Sequence, residues 1–238
     1  MKMFNRISKI AVLALLALAV ASTARAQQPS VKLSDLIGGQ SLTVGDKLFT
    51  HWDVMVAGYP LSPSDINVIP ITDIDGNFGF RLQSGFFAPS GTFSDVLLTY
   101  RVTVLDPKML ISDIHLAFNG AAVGAGALAV VVEQGVAPGG FVRQAFVYTP
   151  SKLSDVVFFE DAPQSFINVS KDIFLYGGID PQGFAIISYI DQTFSQTERG
   201  GPGGGDAVPE PSTLALFGLG AGTLVFFAWN RRRRSAAD

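Results

Sequence analysis

Period-two alternation of apolar and polar side chains, broken at short intervals by glycine, proline, asparagine or aspartate, constrains the fold of this chain most. Val96, Leu98, Tyr100, Val102 and Val104 alternate with Leu97, Thr99, Arg101, Thr103 and Leu105. Such a period places the two sets on opposite faces of one strand. The same period runs through Ile114, Leu116 and Phe118, through Leu128, Val130 and Val132, and through Val142, Gln144, Phe146 and Tyr148. Turn residues separate the runs: Asp75-Gly76-Asn77, Pro89-Ser90-Gly91, Asp106-Pro107, Asn119-Gly120, Pro138-Gly139-Gly140 and Asp180-Pro181. Short β-branched and aromatic segments punctuated in this way predict an all-β domain, an antiparallel β-sandwich, over residues 27–196. No stretch of that body reads as a long amphipathic helix, and Pro63-Ser64-Asp65-Ile66 starts at most one helical turn.

Composition narrows what such a domain can meet. From Gln27 to Asp206 there are nine Lys and Arg against eighteen Asp and Glu, a balance of −9. An acidic body lacks the basic patch that nucleic acid or an anionic lipid surface requires, so no nucleic-acid partner is expected. The chain has no cysteine, so disulfides are unavailable and stability must come from a hydrophobic core, which about 170 residues can supply. Lys32-Leu33-Ser34-Asp35-Leu36-Ile37 echoes Lys152-Leu153-Ser154-Asp155-Val156-Val157. Two related halves or coincidence would each account for it.

Candidate chemistry in the body is sparse, and no catalytic or cofactor-binding constellation is found. His51 and His115 are the two histidines. Asp113 and His115 share a strand face, where the carboxylate can orient the imidazole. A hydrolase would still need a nucleophile, and there is no G-x-S-x-G elbow. Asp73, Asp75 and Asn77 offer the oxygen ligands that Ca²⁺ prefers, with Glu160-Asp161 as a second acidic pair; a type I′ hairpin turn at Asp75-Gly76-Asn77 explains the first without an ion. Trp52, Tyr59 and the pair Phe86-Phe87 are candidate sugar platforms, and half-buried strand aromatics are also what a core contains. A glycosidase would need two carboxyls about 5 to 10 Å apart across a cleft.

The two ends of the chain carry a different kind of information. Lys2, Arg6 and Lys9, the apolar run Ile10 to Val20, and Ala24-Arg25-Ala26 read as a signal peptide over 1–26, cleaved by signal peptidase to leave Gln27 first. An uncleaved anchor would need a longer apolar run. Residues 197–207 are a Gly/Pro-rich linker, with Gly200-Gly201-Pro202-Gly203-Gly204-Gly205 behaving as a flexible tether. From Leu214 to Trp229 no residue is charged, and at a helical rise the run spans roughly 24 Å against a hydrocarbon core of about 30 Å. With its flanking residues it is expected to be one transmembrane helix over 213–230. Arg231, Arg232, Arg233 and Arg234 form a cytoplasmic stop that leaves the body outside. A buried core helix with a basic tail is the other reading of this segment. Gly218 and Gly222 share a face and suit close helix packing; Gly218-Leu219-Gly220-Ala221-Gly222 lacks the strand and acidic ligand of a dinucleotide site.

The order Val208-Pro209-Glu210-Pro211-Ser212-Thr213, apolar helix, arginine cluster resembles the PEP-CTERM sorting signal of exported bacterial proteins, here over 208–234 with the motif at 208–213. The resemblance implies an exosortase partner for which Pro209, Glu210 and Pro211 are substrate residues. It also implies transient anchoring in the inner membrane, then residence at the cell surface or in an extracellular, polysaccharide-rich matrix. Val169-Ser170-Lys171-Asp172-Ile173, Tyr176-Gly177-Gly178, Ile190 to Gln196 and Leu42 to Phe49 resemble the ectodomains of an uncharacterised group of such proteins, which brings no activity with it. Two functions are therefore expected to compete: a non-catalytic surface or matrix protein associated with polysaccharide or biofilm, and a carbohydrate-binding or carbohydrate-active β-sandwich.

Overall fold

The alternating runs form strands because each offers one apolar face to a partner sheet, and burial of that face drives the pairing. The computed structural model describes residues 29–159 and 163–199. The chain divides into two units, Met1–Arg199 and Gly200–Asp238, and the fold below belongs to the first. The signal peptide over 1–26, Glu160-Asp161, the glycines of the linker, Pro209 to Pro211, the span over 213–230 and Arg231 to Arg234 lie outside the described residues. Among the described residues no helix is long and apolar enough to cross a membrane.

The strands in chain order are β1 (Val31–Lys32), β2 (Leu42–Val44), β3 (Lys47–Gly58), β4 (Asn67–Thr72), β5 (Phe78–Pro89), β6 (Phe93–Val104), β7 (Met109–Ile111), β8 (Asp113–Val123), β9 (Leu128–Val136), β10 (Val142–Tyr148), β11 (Ser154–Phe158), β12 (Phe166–Tyr176), β13 (Phe184–Phe194) and β14 (Gln196–Glu198). One six-stranded sheet has the order β1-β4-β5-β13-β8-β11 and a second has β10-β9-β12-β6-β3-β2, while β14 pairs with β7. The pairings are antiparallel, and the architecture is the expected β-sandwich. Thr197 and Glu198, which composition places in the linker, are part of β14, and the Arg199 amide donates to Lys108 O.

Among the described residues, helix is limited to α1 (Leu33–Ile37), which buries Leu33 and Leu36, and a 3₁₀ turn at Pro63–Asp65. Ser62 caps that turn: its hydroxyl accepts from the Ser64 amide and its own amide donates to Asp65 Oδ2. Lys-Leu-Ser-Asp at 32–35 runs into α1, whereas the same tetrapeptide at 152–155 enters β11. The echo therefore marks no shared local structure.

Val96, Leu98, Tyr100, Val102 and Val104 all face the core, as do Ile114, Leu116 and Phe118. Phe49, Trp52, Phe80 and Tyr100 form an aromatic cluster between the sheets, with Trp52 stacked on Tyr100 at 4.9 Å and Phe49 edge-on to Phe80 at 5.1 Å. Trp52 reaches this cluster through a bulge. The β3–β6 register shifts between Thr50 and Asp53, and His51 takes a left-handed backbone with φ of 56°.

Candidate functional site

The outer face of the second sheet is a candidate surface, and strand register maps it. Residues alternate in and out along each strand, so directly paired outward residues form rows across the sheet. One row reads Tyr148, Val130, Phe174, Asp95 and Ala57 from β10 to β3; the next reads Phe146, Val132, Asp172, Leu97 and Met55. A third row, Gln144, Gln134, Ser170, Thr99 and Asp53, is polar throughout. Phe93 lies parallel to Phe174 at 6.4 Å and Phe146 to Tyr148 at 6.1 Å. Phe93 is 44% exposed, Phe146 42% and Met55 68%, a degree of apolar exposure that marks an interaction surface when it is contiguous.

Two carboxyls sit in the middle of this face. Asp172 is hydrogen-bonded to Asp95, and partial burial, then that hydrogen bond and the like charge, push the Asp172 carboxyl up to about 6. Asp95 Oδ1 is buried with no hydrogen-bond partner. Two carboxyls hydrogen-bonded to each other are not the separated pair that flanks a scissile glycosidic bond. Beyond the polar row Arg101 donates to Asn168 Oδ1 at 2.9 Å and lies over the Phe166 ring. His51, Thr99, Val136, Asn168 and Ser170 line a shallow open depression at this polar end.

The outer face of the first sheet is built differently, because its polar groups satisfy one another. Arg81 grips Asp191 with two hydrogen bonds of 2.6 and 2.8 Å and covers the Tyr189 ring at 3.9 Å. Asp113 and His115 do share a face there, and Ser195 joins them from the end of β13. The contact geometry is not that of a nucleophilic relay. Asp113 Oδ1 at 3.0 Å and Ser195 Oγ at 3.1 Å both approach the same ring nitrogen, Nε2, whereas a relay needs the carboxylate on one nitrogen and the hydroxyl on the other. The Asp113 hydrogen bond holds His115 above its ordinary value; burial raises Asp113, and hydrogen bonds from His115 and Ser195 outweigh it and leave the carboxyl low.

Asp73, Asp75 and Asn77 occupy the β4–β5 turn, and the turn itself uses the Asp73 oxygens. Oδ1 accepts from the amides of Asp75 and Asn77, while Oδ2 accepts from the Asn77 side chain and from Thr193 Oγ1 at 2.8 Å. The turn is not type I′, which requires positive φ at both central residues. Here Gly76 alone has it, at 88°, and its amide closes on Asp73 O, giving a three-residue loop ending in a left-handed glycine. No group of three or more His, Cys, Asp or Glu among the described residues is arranged to hold a metal ion.

Of the sugar-platform residues read from sequence, Trp52 and Phe86 are core, while Tyr59 and Phe87 meet edge-on at 5.7 Å on the outside. Sequence reasoning missed Phe93, Phe146, Tyr148, Phe174 and Tyr176. For Phe93, Phe174 and Tyr176, shared parity with Asp95 and Asp172 along β6 and β12 was the available signal.

Residues 207–234 match the family model of the PEP-CTERM protein-sorting motif, which takes in Pro209, Glu210, Pro211 and Arg231 to Arg234. The motif marks export and exosortase-dependent sorting at the membrane. No curated protein matches the chain. Among solved structures, the chain is similar to the enzymatically active domain of bacteriophage CBA120 tailspike protein 4 (12% identity, TM-score 0.29), covering 60% of this chain but only 19% of that one. It is also similar to TmCBM61 in complex with β-1,4-galactotriose (10% identity, TM-score 0.32, 60% and 88% of the two chains). A third is the family 11 carbohydrate-binding module from Clostridium thermocellum with a mixed-linked tetrasaccharide (10% identity, TM-score 0.25, 62% and 91%). Likenesses this distant say nothing of what this chain binds.

Proposed function

We propose that this PEP-CTERM protein is a non-catalytic component of the cell surface or extracellular matrix whose body binds extracellular polysaccharide through the outer face of its second sheet. Signal peptidase removes residues 1–26, the helix over 213–230 holds the chain in the inner membrane with the body outside, and exosortase acts near Pro209 to Pro211. The observation that carries the binding reading is the juxtaposition of rows: aromatic rings beside two carboxyls, then a row of amides and hydroxyls. Aromatic faces stack on the apolar faces of sugar rings, and carboxyls and amides bond their hydroxyls. The acidic body disfavours anionic polymers and suits neutral or cationic glycans.

The alternative, a carbohydrate-active enzyme, is less well supported because Asp95 and Asp172 are hydrogen-bonded to each other rather than set apart across a cleft. Purified residues 27–199 should be retained on the producing organism's polysaccharide without releasing sugar. Phe174→Ala should weaken retention by about three- to tenfold, the worth of one aromatic contact. Passage of the wild-type domain straight through would overturn the binding reading, and sugar release would replace it with an enzymatic one.

A further inference from the structure

Three polar side chains are fully buried at the centre of the sandwich, and the external face does not use them. Lys171 on β12 and Glu133 on β9 are directly paired across adjacent strands of the second sheet, both 0% exposed, and Nζ of Lys171 bonds Oε2 of Glu133. Gln192, also 0% exposed, reaches the same point from β13 in the opposite sheet. Lys171 Nζ lies 2.8 Å from Gln192 Oε1, so the carboxamide carbon is one bond beyond the atom the lysine touches. Gln192 Nε2 donates to His115 O at 3.0 Å, which fixes the plane of the amide.

As a charged pair this arrangement is poorly served. Glu133 Oε1 and the neighbouring Tyr100 hydroxyl have no hydrogen-bond partner. Burial raises the Glu133 carboxyl and lowers the Lys171 ammonium. Both displacements favour the neutral acid and the neutral amine, and a desolvated neutral lysine is a nucleophile.

We propose that Lys171 and Gln192 form an intramolecular amide bond across the two sheets, with Glu133 as the proton carrier. The Lys171 Nζ lone pair attacks Gln192 Cδ, forming the Nζ–Cδ bond. Glu133 takes a proton from Nζ and delivers one to Nε2, the Cδ–Nε2 bond breaks, and ammonia leaves. Glu133 ends in the state in which it began, and no oxidant or cofactor enters. The product ties β12 to β13 in a chain that has no cysteine for a disulfide.

Mass spectrometry of the full chain after denaturation and trypsin tests this. The readout is a peptide rather than the intact mass, because a mature chain beginning with Gln27 can itself lose ammonia by cyclising. Trypsin cuts after Lys152 and Arg199, and an amide at Lys171 blocks the cut between them. The expected product is peptide 153–199, lighter than its sequence by one ammonia, and absent from the Lys171→Arg and Glu133→Gln variants. Free peptides 153–171 and 172–199 from the wild-type protein would overturn the proposal. So would peptide 153–199 joined to 109–143 with loss of one water, which would place the bond on Glu133. The wild-type measurement stands even if either variant fails to fold.

Discussion

At the residue scale, the Asp95–Asp172 pair makes the most direct claim on solution behaviour. Asp172 is held up to about 6 from an ordinary 3.8. A carboxyl whose folded value is raised contributes stability that is fully present below the unfolded value and lost as pH rises through the folded one. The wild-type protein should therefore lose stability between about pH 4 and pH 6 through this pair, with little further change above. Asp172→Asn stays neutral throughout and should gain on the wild type over that window. Urea midpoints of both proteins at pH 4, 5, 6 and 7 would show a difference that grows and then levels; a constant difference would mean that the Asp172 carboxyl is not raised. His115 and Asp113 bound a second window. Asp113 is lowered, so its contribution falls away in acid. His115 is raised, so its contribution is lost as pH climbs above the ordinary imidazole range.

At the element scale, the bulge in β3 tests whether a local irregularity serves the core. A left-handed backbone costs an L-residue about 1 to 2 kcal/mol, while glycine in a strand costs about 0.5 to 1 kcal/mol in conformational entropy. Replacing His51 (φ 56°) with glycine should thus leave stability unchanged or raise it by up to about 1.5 kcal/mol, and His51→Val should lower it. A clear loss in His51→Gly by urea titration would mean that the ring, which bonds Thr50 Oγ1 at 2.8 Å, holds the bulge instead. Strand direction was legible where one face is polar. In β6 and β8 the alternation put Val96 to Val104 and Ile114 to Phe118 in the core, where they are. It was not legible in β9, where Leu128 to Val132 are apolar without a break. Period two then defines two faces and cannot say which is buried. The structure turns Ala129 and Val131 inward and leaves Leu128, Val130 and Val132 on the outer face. Lys171 was a readable anomaly, since it occupies the inward parity of β12 between Val169 and Ile173. Its partners Glu133 and Gln192 were not, because they come from two other strands that only tertiary pairing brings near.

At the scale of the whole molecule, the order of strands within each sheet was beyond sequence reasoning, since pairing of β13 with β5 and β8 depends on contacts remote along the chain. The body and the sorting segment separate cleanly in the sequence for a physical reason: the first has strand periodicity and the second has a charge-free run closed by four arginines. The last paired strand ends at Glu198, so nearly the whole glycine-rich stretch lies between the body and Pro209. On the proposed sorting route, a tether of that composition would span roughly 5 to 6 Å times the square root of its residue number and would present the motif without opening the sandwich. The sorting reading therefore makes a claim about the product. Mature protein recovered from the producing cells should end at or before the Pro209 to Pro211 motif and lack Arg231 to Arg234, whereas cells without exosortase should retain the arginines. Gly218→Leu combined with Gly222→Leu should lengthen retention if the enzyme packs against that helix face, while membrane insertion stays intact, because leucine raises the hydrophobicity of the run and the arginines are unchanged. C-terminal peptide mass spectrometry of the three strains separates these outcomes, and an intact arginine cluster on the mature wild-type protein would make it a permanently anchored membrane protein instead.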